Sequence, residues 1–398
     1  MVPRHETEAS FRPPAGAALQ REPFRLFFPL GVVLGWVGVS HWLLYFVGLI
    51  STYSCMLHGL IQAQAFLMAF ALGFLLTALP RRTQTPPVSL LEMALFVVAL
   101  MTTTAAAYAE AWRLSEAAYA FQFLLLLQFA VRRFLGRSAG RKPPAAFVLI
   151  PIGLVQGLLG AAAIAWSPSA GAPLWAESLG RLLVQQGVFL SFVAGVGSLI
   201  LPLMAGQPPP ADLDASPAER RKLLGYAAVG LTIFASLVLE QLGWIRSAPL
   251  LRAAAIAAAT SFGAGAWRRP TKPGLHRQLV WLAVWLLPFG LLLSGLFPEL
   301  RVAALHVTFI GGFGLLTFGV ATHVALSHLD MQQQASGRPP AVIAIGALLL
   351  LATATRALAD LSDLYFFHLA LAAFFWLVAS LIWIVFLGPR LWRPASGN

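Results

Sequence analysis

Histidine is the residue of this chain most able to do chemistry, and three of its eight histidines stand in one apolar stretch. Residues 305–328 could cross a bilayer as a single helix, yet they hold His306, His323 and His328. Imidazole inside a membrane-spanning helix is costly unless it is paired, ligated or facing water, so such residues mark candidate sites. Neutral imidazole ligates haem iron and also suits copper. A helix rises about 1.5 Å per residue, which puts His306 roughly 33 Å from His328. One metal cannot hold both. His323 and His328 are five residues apart, about 140° around a helix, and are badly set to share an ion.

The elements that must position these side chains are membrane helices. The chain is 59% hydrophobic and only 11% charged over 398 residues. A soluble protein would carry about a quarter charged residues. Twelve segments have the roughly 20 apolar residues that a spanning helix needs. Their expected limits are 25–50, 56–79, 88–108, 113–135, 145–166, 179–204, 222–241, 248–267, 278–297, 302–328, 341–359 and 364–387. Proline and clustered charge mark the breaks, as at Pro80-Arg-Arg and Arg268-Arg-Pro. The expectation is an all-α polytopic protein with a twelve-helix domain at 25–387 and tails at 1–24 and 388–398. The polar segment 1–22 lacks the apolar core of a signal peptide.

Basic residues set the expected orientation. With both termini in the cytoplasm, all but six of the 27 Lys and Arg fall on the inner side. The six are Arg113, Arg181, Arg246, Arg252, Arg301 and Arg356, at outer helix ends or outer loops. This distribution follows the positive-inside rule, so the net charge of +12 does not call for nucleic acid. Cys55 is the single cysteine, which excludes an intrachain disulfide and a Cys-x-x-Cys-His haem attachment.

That topology sorts the histidines. His5 and His276 fall in basic cytoplasmic segments and read as solvated. His58, His306 and His368 open helices at the outer side, and His41 lies in the outer half of the first helix. Imidazoles converging at one depth suggest a haem or metal site, with His58 and His306 as leading ligands and His368 and His41 in reserve. Arg356, Arg181 and Arg301 are candidate partners for haem propionates, since guanidinium pairs bidentately with carboxylate. The alternative is that they snorkel, or pair with Asp360, Asp363, Glu177, Glu240 or Glu299. Cys55, Met56 and His58 would suit Cu(I), although a lone cysteine in an apolar chain is more often plain packing. Gln62 and Gln64 read as links to a neighbouring helix. His328, with His323, marks a candidate second site at the cytoplasmic face. The conspicuous polar residues cluster at helix ends, unlike the midplane site expected of a secondary transporter.

Several signatures are absent from the sequence. There is no Walker-type phosphate loop and no haem-copper-oxidase residue set. No two helices carry paired histidines at the spacing of quinol-oxidising cytochromes b. The loop after the second helix does not match that of major-facilitator transporters.

The chain resembles the NnrS family. Phe24-Arg-Leu-Phe-Phe-Pro resembles the family's opening, and Gly73-Phe-Leu-Leu-Thr-Ala-Leu-Pro resembles the end of its second helix. The tenth helix carries the family pattern as His306, Thr308, Gly311, Gly314, Thr317, Gly319 and Leu326-Ser-His. Trp376, Ala379 and Gly388-Pro-Arg-Leu-Trp-Arg-Pro resemble the C-terminal helix. Some positions depart. The family's His-x-His-Glu motif begins at His58, but Leu60 and Ile61 replace its second His and its Glu. The sixth helix lacks the family's Arg, and His323 stands where an Arg is expected. The resemblance implies a twelve-helix protein of the bacterial inner membrane, binding haem b and copper, with a role in nitric oxide metabolism and nitrosative stress. It leaves open whether nitric oxide is scavenged, reduced or sensed, and whether quinol supplies electrons. A secondary transporter and a transmembrane electron-transfer cytochrome b are the alternatives.

Overall fold

The computed structural model describes residues 15–136, 142–329 and 331–392. His5, the first 14 residues of the expected tail and residues 393–398 lie outside the described residues. The described residues are helical, with turns and loops between the helices and no strand. Each of the twelve expected segments forms a helix. They are α1 Phe24–Phe46, α2 Cys55–Thr83, α3 Leu90–Tyr108, α4 Trp112–Leu135, α5 Ala145–Trp166 and α6 Trp175–Met204. Then follow α7 Pro217–Gln241, α8 Ser247–Ala258, α9 Leu275–Leu296, α10 Pro298–His328, α11 Pro340–Leu361 and α12 Tyr365–Leu391. A short helix, Ala15–Arg21, precedes them where the sequence suggested only a tail.

Eleven of these helices are long and apolar enough to cross a membrane. The exception is α8, which the sequence extended to residue 267. It is 12 residues long and is followed by a five-residue π turn, Ala259–Gly263. Gly265 then takes a positive φ of 66° and turns the chain away. At 1.5 Å per residue the helix and its π turn run about 25 Å, short of the ~30 Å hydrocarbon core. Pro80 also differs from expectation. It lies inside α2, which ends at Gln84 in the left-handed conformation. Proline removes one helical hydrogen bond, and so close to a terminus that loss is tolerated.

Of the eleven long helices described, three carry π-helical stretches. These are α2 at Gln62–Leu67, α6 at Leu183–Gly187 and α10 at Val307–Gly314. Such turns change which side chains face a neighbour and often occur at functional sites. α1 packs between α2 and α12, and α10 packs against α9 and α11. One apolar core runs through α1 to α10, and a second joins α1, α2, α9, α10, α11 and α12 around Phe70, Phe318, Trp376 and Trp383.

Polar side chains are not confined to helix ends. Gln64, Glu116, Gln122, Gln156 and Gln186 are all buried within the bundle. Gln122 donates to Thr103 Oγ1 at 3.0 Å, and Gln156 donates to Ser191 Oγ at 3.1 Å. Gln64 bonds Glu116 of α4, the link to a neighbouring helix expected of it, whereas Gln122, Gln156 and Gln186 add no charge and a search for charged breaks in apolar runs passes over them.

Cys55 is exposed at the start of α2. With that end on the outer side, as the basic residues predict, a membrane-impermeant maleimide should label it in intact cells. Labelling only after lysis would place that end of α2 on the cytoplasmic side.

Candidate functional site

The site begins with the way α1 and α2 meet. Ser54 accepts a hydrogen bond from the Leu57 amide at 3.1 Å and starts α2, which puts His58 in its first turns. Gly38 of α1 then lets the helices close. A Cβ there would sit 2.6 Å from Gln62 Nε2 and 3.0 Å from Ile61 Cγ2. At that approach Gly38 O is 2.7 Å from His58 Nδ1, and Gln62 Nε2 donates to Gly35 O at 2.9 Å. Gln62 is thus an inter-helix link, as its sequence position suggested.

His306 comes from α10, just before its π stretch. Its Nδ1 is 2.7 Å from the carbonyl of Val302, one turn earlier. A carbonyl only accepts, so in both rings Nδ1 carries the proton and Nε2 holds the lone pair. No hydrogen bond to either Nε2 is seen among the described residues. The two rings face each other with centroids 6.4 Å apart and planes 12° from parallel. An imidazole lone pair lies in the ring plane, so a metal about 2.0–2.1 Å from each Nε2 would sit at the ring edges rather than between the ring faces. Ligating histidines almost always donate their other N–H in this way, which fixes the ring and its tautomer.

These rings line a cavity of about 440 Å³, within the range of roughly 300–1,000 Å³ usual for small-molecule sites. Arg181, Arg301, Arg356 and Cys55 share its wall. Trp42, Phe66, Phe309 and Trp376 supply its apolar faces. Sequence reasoning grouped these cations with these imidazoles, and the fold brings them to one space.

The arginines are held differently. Arg356 is buried, and its Nη1 lies 3.5 Å from Asp360 without the alignment of a hydrogen bond. Arg181 lies 3.5 Å from Glu177, and both are partly exposed. Arg301 pairs with Glu240, whose other oxygen takes Arg252. Arg252 does not snorkel. Its side chain is fully buried and also reaches Ser236 Oγ at 3.4 Å.

The reserve histidines stand apart from the cavity wall. The His41 ring lies 5.9 Å from that of His58, and neither of its nitrogens has a hydrogen-bond partner. His368 sits beside Phe367, with Nδ1 buried and unpartnered.

At the opposite end of α10 the structure separates His328 from His323. His328 Nδ1 is 2.8 Å from Val324 O, and its Nε2 meets the Arg81 guanidinium, which also pairs with Glu22. An arginine N–H thus occupies the lone pair that a metal would need. His323 Nδ1 lies 3.1 Å from His276 Nε2. The solvated reading of His276 is overturned, since it is only 1% exposed. Gly274, at φ +129°, turns the preceding loop so that α9 starts already buried, and the Leu275 amide bonds Gly337 O at 3.1 Å. Among the described residues no group of three His, Cys, Asp or Glu could hold a metal ion.

Sequence reasoning passed over one buried carboxylate. Glu116 is 1% exposed in α4, and both of its oxygens lie 2.8 Å from Gln64 Nε2. A carboxylate four residues into an apolar helix was the signal available.

Removing one member of a buried ion pair strands the other charge, at a cost of about 3–5 kcal/mol. Glu240→Gln should therefore lower the thermal unfolding midpoint in detergent markedly. Glu177→Gln, at an exposed pair worth about 0–1 kcal/mol, should leave it nearly unchanged. Equal shifts would show that the Glu240 network has no special weight.

A family model described as NnrS protein matches residues 18–395. No curated protein matches the chain.

Proposed function

The chain belongs to the NnrS family, and we propose that it is a haem-binding membrane protein that handles nitric oxide. The observation that carries this reading is the facing pair His58 and His306. Each has Nδ1 bonded to a backbone carbonyl and Nε2 without a hydrogen-bond partner among the described residues. A planar apolar macrocycle with an anionic edge suits the aromatic walls and the cations of their cavity. The unpartnered Nη1 of Arg356 is a donor for a carboxylate, and Arg181 is held only by a partly exposed pair. Arg301 already serves Glu240, so it would add charge more than direct bonds.

A bound haem b would supply an iron at which nitric oxide ligates in place of one of the two imidazoles. This chain's residues hold and shape that place. His58 is fixed from a second helix through Gly38, whereas His306 is fixed only by its own helix. Copper has thinner support, because Cys55 is the one thiol on the cavity wall and no group of three His, Cys, Asp or Glu among the described residues could hold a metal ion.

We read α8 as a twelfth traverse. Arg246 at its start donates to Leu296 O at the end of α9, while Ala266 O beyond its far end takes Trp281 Nε1 at 2.7 Å. The two ends of α8 therefore meet different parts of α9. Twelve traverses with the basic loops inside put both termini in the cytoplasm of a bacterial inner-membrane protein.

Purified protein should show a Soret band and, by pyridine haemochrome, one haem b per chain. His58→Ala and His306→Ala should each lose most of the haem, and His41→Ala should retain it. Gly38→Val, which pushes α1 off the His58 hydrogen bond, should weaken haem binding by about 10–100-fold, as loss of an orienting partner does. A colourless preparation with substrate-dependent uptake in vesicles would replace this reading with a transporter.

A further inference from the structure

A second cavity of about 120 Å³, lined mainly by α2, α6 and α10, lies further along these helices from the imidazoles. On α2 the wall passes from Phe66 in the first cavity to Phe70 and Phe74 in the second. On α6 it passes from Gln186 to Phe189, and on α10 from Phe309 and Ile310 to Phe313 and Thr317. Leu67 lines both cavities and stands between them.

The chemistry changes sharply across Leu67. The first cavity has two imidazoles and three guanidiniums. On the wall of the second, Thr317 is the one polar side chain. A water needs two to four polar partners, so such a space stays dry and takes small neutral molecules, as an apolar cavity of about 150 Å³ takes benzene or xenon. The second cavity is not sealed. Val196 and Gly197 of α6 and Thr317 and Val320 of α10 are only partly buried where they line it. All four lie well inside their apolar spans.

We propose that this cavity binds a neutral diatomic gas and passes it between the bilayer interior and the imidazole cavity, with Leu67 as the divider. Nitric oxide is the gas of interest, and that identity rests on the function proposed above. An uncharged diatomic dissolves in hydrocarbon and needs no hydrogen bond on the way. A charged or strongly hydrated solute would have to shed its water in a space that offers one hydroxyl.

Gly197 supplies the blocking variant. A Cβ there would meet only Leu201, at 3.5 Å, so a larger side chain can enter the cavity without moving the helix. Ala71→Leu fills the same space from α2 and covers the case in which Gly197→Leu fails to fold. Xenon is the first probe, since it needs no haem. Xenon-129 NMR of the purified protein should show saturable binding that Gly197→Leu and Ala71→Leu remove. Carbon monoxide is the second probe. After flash photolysis of the haem-loaded protein, association and dissociation rates should both fall severalfold in the filled variants and rise in Leu67→Ala. Equilibrium affinity and the Soret band should stay unchanged. Equal xenon binding in all variants, or rates that none of them alters, would overturn the proposal. So would xenon binding that appears only after lipid is stripped away, because an acyl chain would then be the natural occupant. A preparation without haem that still binds xenon in this pattern would defeat the proposed function and leave the gas cavity standing.

Discussion

In a hydrocarbon interior a polar group without a partner costs several kcal/mol, and the rest of this structure follows from how its polar groups find partners. The decisive case is the hydrogen bond between His58 and the carbonyl of Gly38. A helical carbonyl is already bonded within its own helix, so a second donor can reach it only where nothing covers it. Gly38 provides that bare patch, and Gly35 provides another for Gln62. Small residues at α1 therefore do more than allow close packing. They make the first helix a jig that holds an imidazole by one nitrogen and presents the other.

Pairing also divides the bundle into unlike ends. At the end with His58 and His306 the imidazole Nε2 atoms remain free, and arginines stand around them with incomplete or shared acid partners. At the other end of α10, His328 is bonded on both sides and His323 is bonded to His276. The same residue type serves chemistry at one end and architecture at the other. The π stretches in α2, α6 and α10 fall at or next to the cavity wall, where helical register must bend to bring Gln62, Gln186 and Phe309 inward.

Much of this was legible in the sequence because hydrophobic length and charge placement are strong, additive signals. They gave the twelve helical segments and grouped His58, His306, Arg181, Arg301 and Arg356 at one end. They failed where three-dimensional pairing decides. His276 follows a basic loop and looks solvated, but the turn at Gly274 carries it inside to His323. Arg252 looks like a headgroup anchor, yet Glu240 makes its burial tolerable. Glu116 and the buried glutamines sit in segments that stay apolar overall, and only packing reveals their partners. The shortness of α8 depended on one backbone angle at Gly265.

The central claim is that His58 and His306 hold one haem between them. Electron paramagnetic resonance of the ferric protein addresses it directly. The account predicts a low-spin signal characteristic of two imidazole ligands, lost in His58→Ala and equally lost in His306→Ala. A high-spin signal in the unmodified protein, or a low-spin signal that survives either substitution, would contradict it.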